Sequence, residues 1–161
     1  MTSDAVLRDH LLHLLAGGQA HAGPEEVFRD IPEAAMHRGV PGLPYTAWEQ
    51  LEHLRIAQWD ILEFVRDPRH VSPDWPAGYW RASEAGMGRA EWDASLEAFR
   101  ADLEAVKALG RDTAVDLTAP LPHAPTYTIL REVLLVADHN AHHLGQIIVL
   151  RRLLDCWPPA S

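Results

Sequence analysis

The stretch Val136-Ala137-Asp138-His139-Asn140-Ala141-His142-His143-Leu144-Gly145-Gln146-Ile147 repeats its apolar residues with the period of a helix and not of a strand. Four residues turn a helix by about 400°, so His139 and His143 leave one face roughly 40° apart. Val136, Gln146 and then Leu150 share that side, while Leu135, Asp138 and His142 lie on the neighbouring one. A polar stripe on an otherwise apolar helix needs partners, because a buried polar group without one costs about 1–3 kcal/mol. Two imidazoles at this spacing can share one metal ion, and they can equally be satisfied core histidines. Metalloproteases use the same helical His-x-x-x-His, but Asn140 stands where their glutamate would be, so protease chemistry is excluded.

The helix that carries this stretch is predicted from about Thr128, its cap, to Leu154, with Pro158-Pro159 beyond. Upstream, Thr46 and Glu49 form a capping box that opens a helix to about Arg66, stopped by Asp67-Pro68. Its broad inward face holds Trp48, Leu51, His53, Leu54, Ile56, Ala57, Trp59, Asp60, Ile61 and Phe64. A third long helix runs from about Arg89 to Leu109 behind Gly86–Gly88, with Trp92, Leu96, Phe99, Leu103 and Val106 as its core stripe and Gly110 as its C-cap. A shorter helix spans about Asp4–Ala16 and ends at Gly17-Gly18. Pro24 opens a short helix with Val27, Phe28 and Ile31 inward, and a further turn reaches about His37. Arg38–Pro44, Ser72–Trp80 and the proline-rich Asp116–Thr126 read as connections. No segment alternates with period two, so the expected architecture is all-α, a four-helix bundle with long connections.

With 47% apolar and 23% charged residues in 161, the chain is expected to fold as one globular domain. A net charge of −9 disfavours phosphate backbones, so nucleic acid is not an expected partner. No apolar run approaches a membrane span and no basic amphipathic helix suggests a membrane surface. The start, Met1-Thr2-Ser3-Asp4, lacks a signal-peptide pattern, and Cys156 alone cannot form an internal disulfide, which fits a cytoplasmic protein. Cys156, beside Trp157, reads as a packing residue.

A third ligand must come from another helix, and His53, set mid-helix among Leu51, Leu54, Ile56 and Ala57, is the best placed. Asp60, seven residues on, reads as an acceptor for an imidazole N–H or as a fourth ligand. Gln146, one turn past His143, contacts a ligand or water, or fills a core gap; Glu132, seven residues before His139, supports a ligand or is a solvated first-turn acid. His21, after Gly17-Gly18, has a chance of approaching the bundle end, whereas His10 and His13 read as helix-face residues and Asp138 and Arg131 as structural or solvated. Trp75, Tyr79 and Trp80 form either an aromatic wall over the centre or a cover on the outside of the bundle or at a dimer interface.

At these residues the chain resembles the DinB-like (DinB/YfiT-type) superfamily over nearly its whole length. A typical member has a histidine within its second long helix, here His53 in Leu51-Glu52-His53-Leu54, and a late helix with His-x-x-x-His-x-Gly-Gln, here His139 to Gln146. Members often carry arginine before the Gly-Gln, where this chain has Leu144, so a polar contact is expected to be missing; His142 is out of register with the ligands and reads as a supporting or surface residue. The resemblance implies a single DinB-like helical domain over residues 1–161, a metal site of His53, His139 and His143 at one end of the bundle, and homodimerisation. Zn²⁺ or Ni²⁺ suits three imidazoles best, with Mn²⁺ or Fe²⁺ as further candidates. Members with assigned activity include transferases and isomerases that use low-molecular-weight thiols such as bacillithiol or mycothiol.

Three functions compete. The first is a metal-dependent transferase or hydrolase acting on a small molecule, with a low-molecular-weight thiol as a candidate partner. The second is a non-catalytic metal-binding, stress-associated helical dimer, and the third is a plain helical dimer with histidines in its core. No serine elbow is present, and Cys156 lies about 20 Å along the helix from His143, so no protein nucleophile presents itself. No general base is evident beyond a metal itself, and Asp60, Glu132 and Gln146 are the polar candidates nearby.

Overall fold

The computed structural model describes residues 2–84 and 87–159; Met1 and Gly86 lie outside the described residues. Helix α1 (Ser3–Ala16) is capped by the Thr2 hydroxyl, which accepts the Ala5 N–H. Gly17 ends it at φ +68°, and a Cβ there would lie 2.8 Å from Gly23 Cα. The return into α2 (Pro24–Phe28) therefore needs glycine for the close backbone approach. A further turn, α3 (Glu33–Met36), and an irregular segment lead to α4 (Ala47–Arg66). The capping box at its start is formed in both directions: Glu49 N–H to Thr46 Oγ1 at 3.2 Å and Thr46 N–H to Glu49 Oε2 at 2.7 Å.

Between α4 and α5 (Arg89–Arg111) the chain makes a single 3₁₀ turn at Ala77–Tyr79. Helix α5 continues past the expected cap: Gly110 is buried within the last turn, and Asp112 takes the capping position. The carbonyl of Gly110 accepts Nη1 of Arg8 at 3.0 Å, so α1 closes a helix end that a left-handed glycine would otherwise close. The proline-rich connection then forms a small antiparallel hairpin, β1 (Pro120–Leu121) with β2 (Ala124–Thr128), which period-two reading did not foresee. Thr128 caps α6 (Ile129–Leu153) by accepting the Arg131 N–H at 3.1 Å.

The long helices α1, α4, α5 and α6 pack as a four-helix bundle, α4 against α5 and α6, and α1 against the same two from the other side. The α5 stripe of Trp92, Leu96, Phe99, Leu103 and Val106 is wholly buried, as expected. The α4 face is corrected in detail. Trp59 is 38% exposed, whereas Gln50, Glu52 and Gln58 are buried. Each of these polar side chains has a specific partner. The Gln58 amide donates to the Phe99 carbonyl at 2.7 Å and accepts from Asn140 at 2.9 Å. Glu52 takes Arg55 Nε at 2.7 Å and the Ser95 hydroxyl. Burial alone would raise the Glu52 pKa, but the hydrogen bonds from Arg55 and Ser95 hold it below the usual carboxylate range. No helix among the described residues is long and apolar enough to cross a membrane.

Candidate metal centre

Helices α4 and α6 face each other along the bundle, and this brings His53 to His139 and His143. One ligating nitrogen from each lies within 4.8 Å of the other two. His53 and His143 are buried and His139 is half-buried. His53 Nε2 and His139 Nε2 are 3.0 Å apart.

The outer nitrogens show why the inner ones converge. His53 Nδ1 donates to the Tyr79 carbonyl at 3.0 Å, and His143 Nδ1 donates to Gln50 Oε1 at 2.7 Å. Both acceptors are carbonyl oxygens, which fixes the proton on Nδ1 and leaves the Nε2 lone pair free. The His53 lone pair meets His139 Nε2 at 3.0 Å, so either the His139 ring places its own proton between them or a cation takes that place. Three nitrogens each about 2.05 Å from a tetrahedral ion stand about 3.3 Å apart, so the donor set fits a divalent metal. The rings are also held neutral, the ligating form. Burial first, and then the neighbouring imidazoles, push His139 down to about 4 and His143 to about 3. Burial likewise lowers His53, partly offset by its bond to Tyr79.

Gln50 is the first support that sequence reading missed. Its amide donates to Gln146 Oε1 at 2.6 Å, and Gln146 Nε2 meets His142 Nε2 at 2.8 Å. Gln146 therefore reaches the centre through Gln50, and the exposed His142 belongs to the outer end of the same chain of bonds. A Gln50→Ala protein is expected to bind a divalent ion about 10–100-fold more weakly, the usual cost of losing a residue that orients a ligating histidine. Chelator competition measures this, and an unchanged affinity would remove Gln50 from the site.

The second support is a backbone carbonyl, and Asp60 holds it there. Asp60 accepts the Tyr79 hydroxyl at 2.6 Å and His70 Nε2 at 2.7 Å. It does take an imidazole N–H, but that of His70 and not of His53. Burial and the Asp60 carboxylate push the Tyr79 phenol up to about 12, so it stays a donor. The anchored turn sets Trp80 flat on His53, with ring centroids 3.9 Å apart and planes within 1°, and Tyr45 stacks on the far face of Trp80 at 3.6 Å. Arg81, next in the chain, lies 3.7 Å from the buried Glu52. Trp80 and Tyr79 thus form the aromatic wall, while Trp75 is mostly exposed at its rim.

Other expected positions resolve differently. Glu132 is buried but pairs with Arg131 at 2.7 Å and lines neither cleft beside the histidines. His21 is exposed and bonds its neighbour's carbonyl at Ala22, away from the centre. Leu144 is packed in the core.

The depressed histidine pKa values carry a sign for stability. In the unfolded chain these rings titrate near 6.5, so below that pH the unfolded chain takes up protons that the folded one excludes. The metal-free protein is therefore expected to be most stable above about pH 6.5 and to lose stability steadily as pH falls from 6.5 towards 4. Thermal melts in EDTA from pH 8 to pH 5 show it, and a His143→Gln variant should flatten the slope.

Comparison with known proteins adds the family. No curated protein and no solved structure matches the chain. The family model described as the DinB superfamily matches residues 18–147, a span that holds all three converging histidines together with Gln50, Asp60, Tyr79 and Trp80. A buried three-histidine group in such a chain fits a metal-binding protein, and the chain belongs to the DinB superfamily.

Proposed function

We propose that this chain is a divalent-metal-dependent enzyme that transfers a thiol to, or hydrolyses, a small electrophile. The observation that carries the proposal is the open flank of the centre. Three ring nitrogens converge, the outer nitrogens of His53 and His143 are tied, and two clefts reach the centre, one of 320 Å³ lined by all three histidines and one of 460 Å³ lined by His143. A purely structural ion is more often enclosed by four protein ligands. What a divalent ion would supply here is a lowered pKa for a bound thiol or water and polarisation of an electrophile. The protein's own part is positional. His53, His139 and His143 would hold the ion, Gln50 and the Tyr79 carbonyl orient two of the rings, and Trp80 covers one face of His53. Zn²⁺ or Ni²⁺ suits the all-nitrogen set best, with Mn²⁺ or Fe²⁺ behind them. A low-molecular-weight thiol is the proposed co-substrate, and a homodimer the proposed assembly.

Protein purified without a histidine tag is expected to carry about one divalent ion per chain by elemental analysis, following the one three-histidine group among the described residues. Supplied with that metal, it should conjugate a low-molecular-weight thiol to a model electrophile such as 1-chloro-2,4-dinitrobenzene, or hydrolyse an activated ester. Metal bound stoichiometrically, with neither reaction above the metal-free rate and a large drop in melting temperature on chelation, would instead establish an ion that staples the helices.

A further inference from the structure

The two clefts that meet at the centre differ in chemistry. They share Trp80 and His143. Both are mostly apolar, but the smaller counts among its lining residues Asp60, whose carboxylate is taken by the Tyr79 hydroxyl and His70. The larger, 460 Å³, is walled by Leu43, Pro44, Tyr45, Val149 and Leu150, and no Asp, Glu, Lys or Arg lines it among the described residues. Its polar groups are Gln50, His142, His143 and Gln146 along one side, Gln50 and His143 buried and His142 exposed. Its volume lies within the range of small-molecule sites, and an apolar wall with a few convergent polar groups is their usual make-up.

Gly145 makes this cleft more than a gap in the packing. It lies inside the 25-residue helix α6, where glycine weakens a helix relative to alanine. Nothing in the fold requires it. Its backbone is not in the left-handed region, and a Cβ added there would meet no atom within 4 Å. It is exposed and lines the larger cleft. A residue that costs helix stability, has no packing neighbour and faces a cavity leaves room for something outside the fold.

We propose that the larger cleft binds an uncharged, predominantly apolar organic molecule, seated between Tyr45 and Val149 with one polar atom towards His142, His143 and Gln146, and that Gly145 sets the space for it. Its role as the electrophilic co-substrate rests on the function proposed above; its binding does not. Burying a carboxylate or an ammonium in a cleft without a counter-charge is strongly unfavourable, which is the basis for selecting the uncharged form.

The test uses the full chain, freed of metal with EDTA, and three naphthalenes of similar size: 1-naphthalenemethanol, 1-naphthoate and 1-naphthylmethylammonium. Titration calorimetry is expected to show one saturable site for the alcohol, at least about tenfold tighter than for either ion. Gly145→Leu should weaken the alcohol at least about tenfold while melting no lower than the wild type, since leucine is the better helix former. Val149→Arg, at a half-exposed wall position, should move the preference towards naphthoate. Equal affinity for the three probes, no saturable binding of the alcohol, or full binding by Gly145→Leu overturns the proposal. So does a change of sedimenting mass in Gly145→Leu, which would make a second copy of the chain the occupant. Absence of bound metal or of transfer activity would sink the function proposed above and leave these binding results standing.

Discussion

A His53→Ala protein is expected to bind a divalent ion about 10²–10³-fold more weakly than the wild type. Structural zinc sites with four ligands are worth about 10–16 kcal/mol at neutral pH, so one ligand accounts for about 3–4 kcal/mol, or two to three decades in affinity. His139→Ala and His143→Ala should fall in the same range, because the three nitrogens are chemically alike and mutually within 4.8 Å. His53 carries an additional consequence. Its ring is sandwiched with Trp80 and tied to Tyr79, so its removal also frees the aromatic wall, and tryptophan emission should change even in EDTA. The metal-free variant should remain folded, since the imidazole leaves together with its need for partners. Competition with a chelator of known affinity reads the first effect and fluorescence reads the second. A wild-type affinity in all three variants would remove these histidines from metal binding. Asp60→Asn and Tyr79→Phe form an informative contrast. They act on His53 only through the Tyr79 carbonyl, and their effect should be smaller than that of the ligand itself.

The parts of this architecture that were legible in the sequence are those governed by local rules. The Thr46–Glu49 capping box and the Thr128 cap are set within four residues, and both form as read. The pairing of His139 with His143 follows from helical phase alone. Their meeting with His53 is a tertiary fact, and only a family pattern pointed to it. Helical phase also misleads about distance. Asp60 and Glu132 are each seven residues from a ligand, which is the same face but about 10.5 Å along the axis. At that range each finds another partner, Asp60 in the folded-back Tyr79 and His70, and Glu132 in Arg131. The Tyr79 carbonyl could not have been read at all, because a backbone oxygen has no letter of its own. Gln50 could have been suspected as a polar residue one turn before His53, but only its bond to His143 identifies what it does. The hairpin at Pro120–Thr128 is too short for period two to register.

Arginines show the same limit from the side of stability. Arg151 is 1% exposed and has no carboxylate partner among the described residues. Its Nη1 donates to the Val27 carbonyl at 2.7 Å, and its Nε and Nη2 donate to the Cys156 carbonyl at 3.0 and 2.7 Å. Its guanidinium also lies 5.1 Å from the Trp157 ring centre. The carbonyls it satisfies sit near the end of α2 and just past the end of α6, where helix dipoles place negative partial charge. Arg8 does the same for α5, bonding the carbonyls of Gly110, Asp112 and Val115 while Asp4 takes its Nε. Replacing Arg151 by alanine removes donors from two carbonyls and opens a cavity beside the core. Each loss alone costs about 1–3 kcal/mol, so a total of about 3–5 kcal/mol is expected. For a chain of this size that corresponds to a fall of about 6–20 °C in melting temperature. Lysine should recover little of it, because one ammonium cannot reach both carbonyls in the fixed geometry of the guanidinium fork. The metal affinity of whatever remains folded should be unchanged, since Arg151 lines neither cleft at the histidines. Thermal melts of the Arg151→Ala and Arg151→Lys proteins in saturating metal and in EDTA separate the two effects. A loss below about 1 kcal/mol in both would show that these carbonyls are satisfied by water and that the C-terminal segment is not held by this side chain.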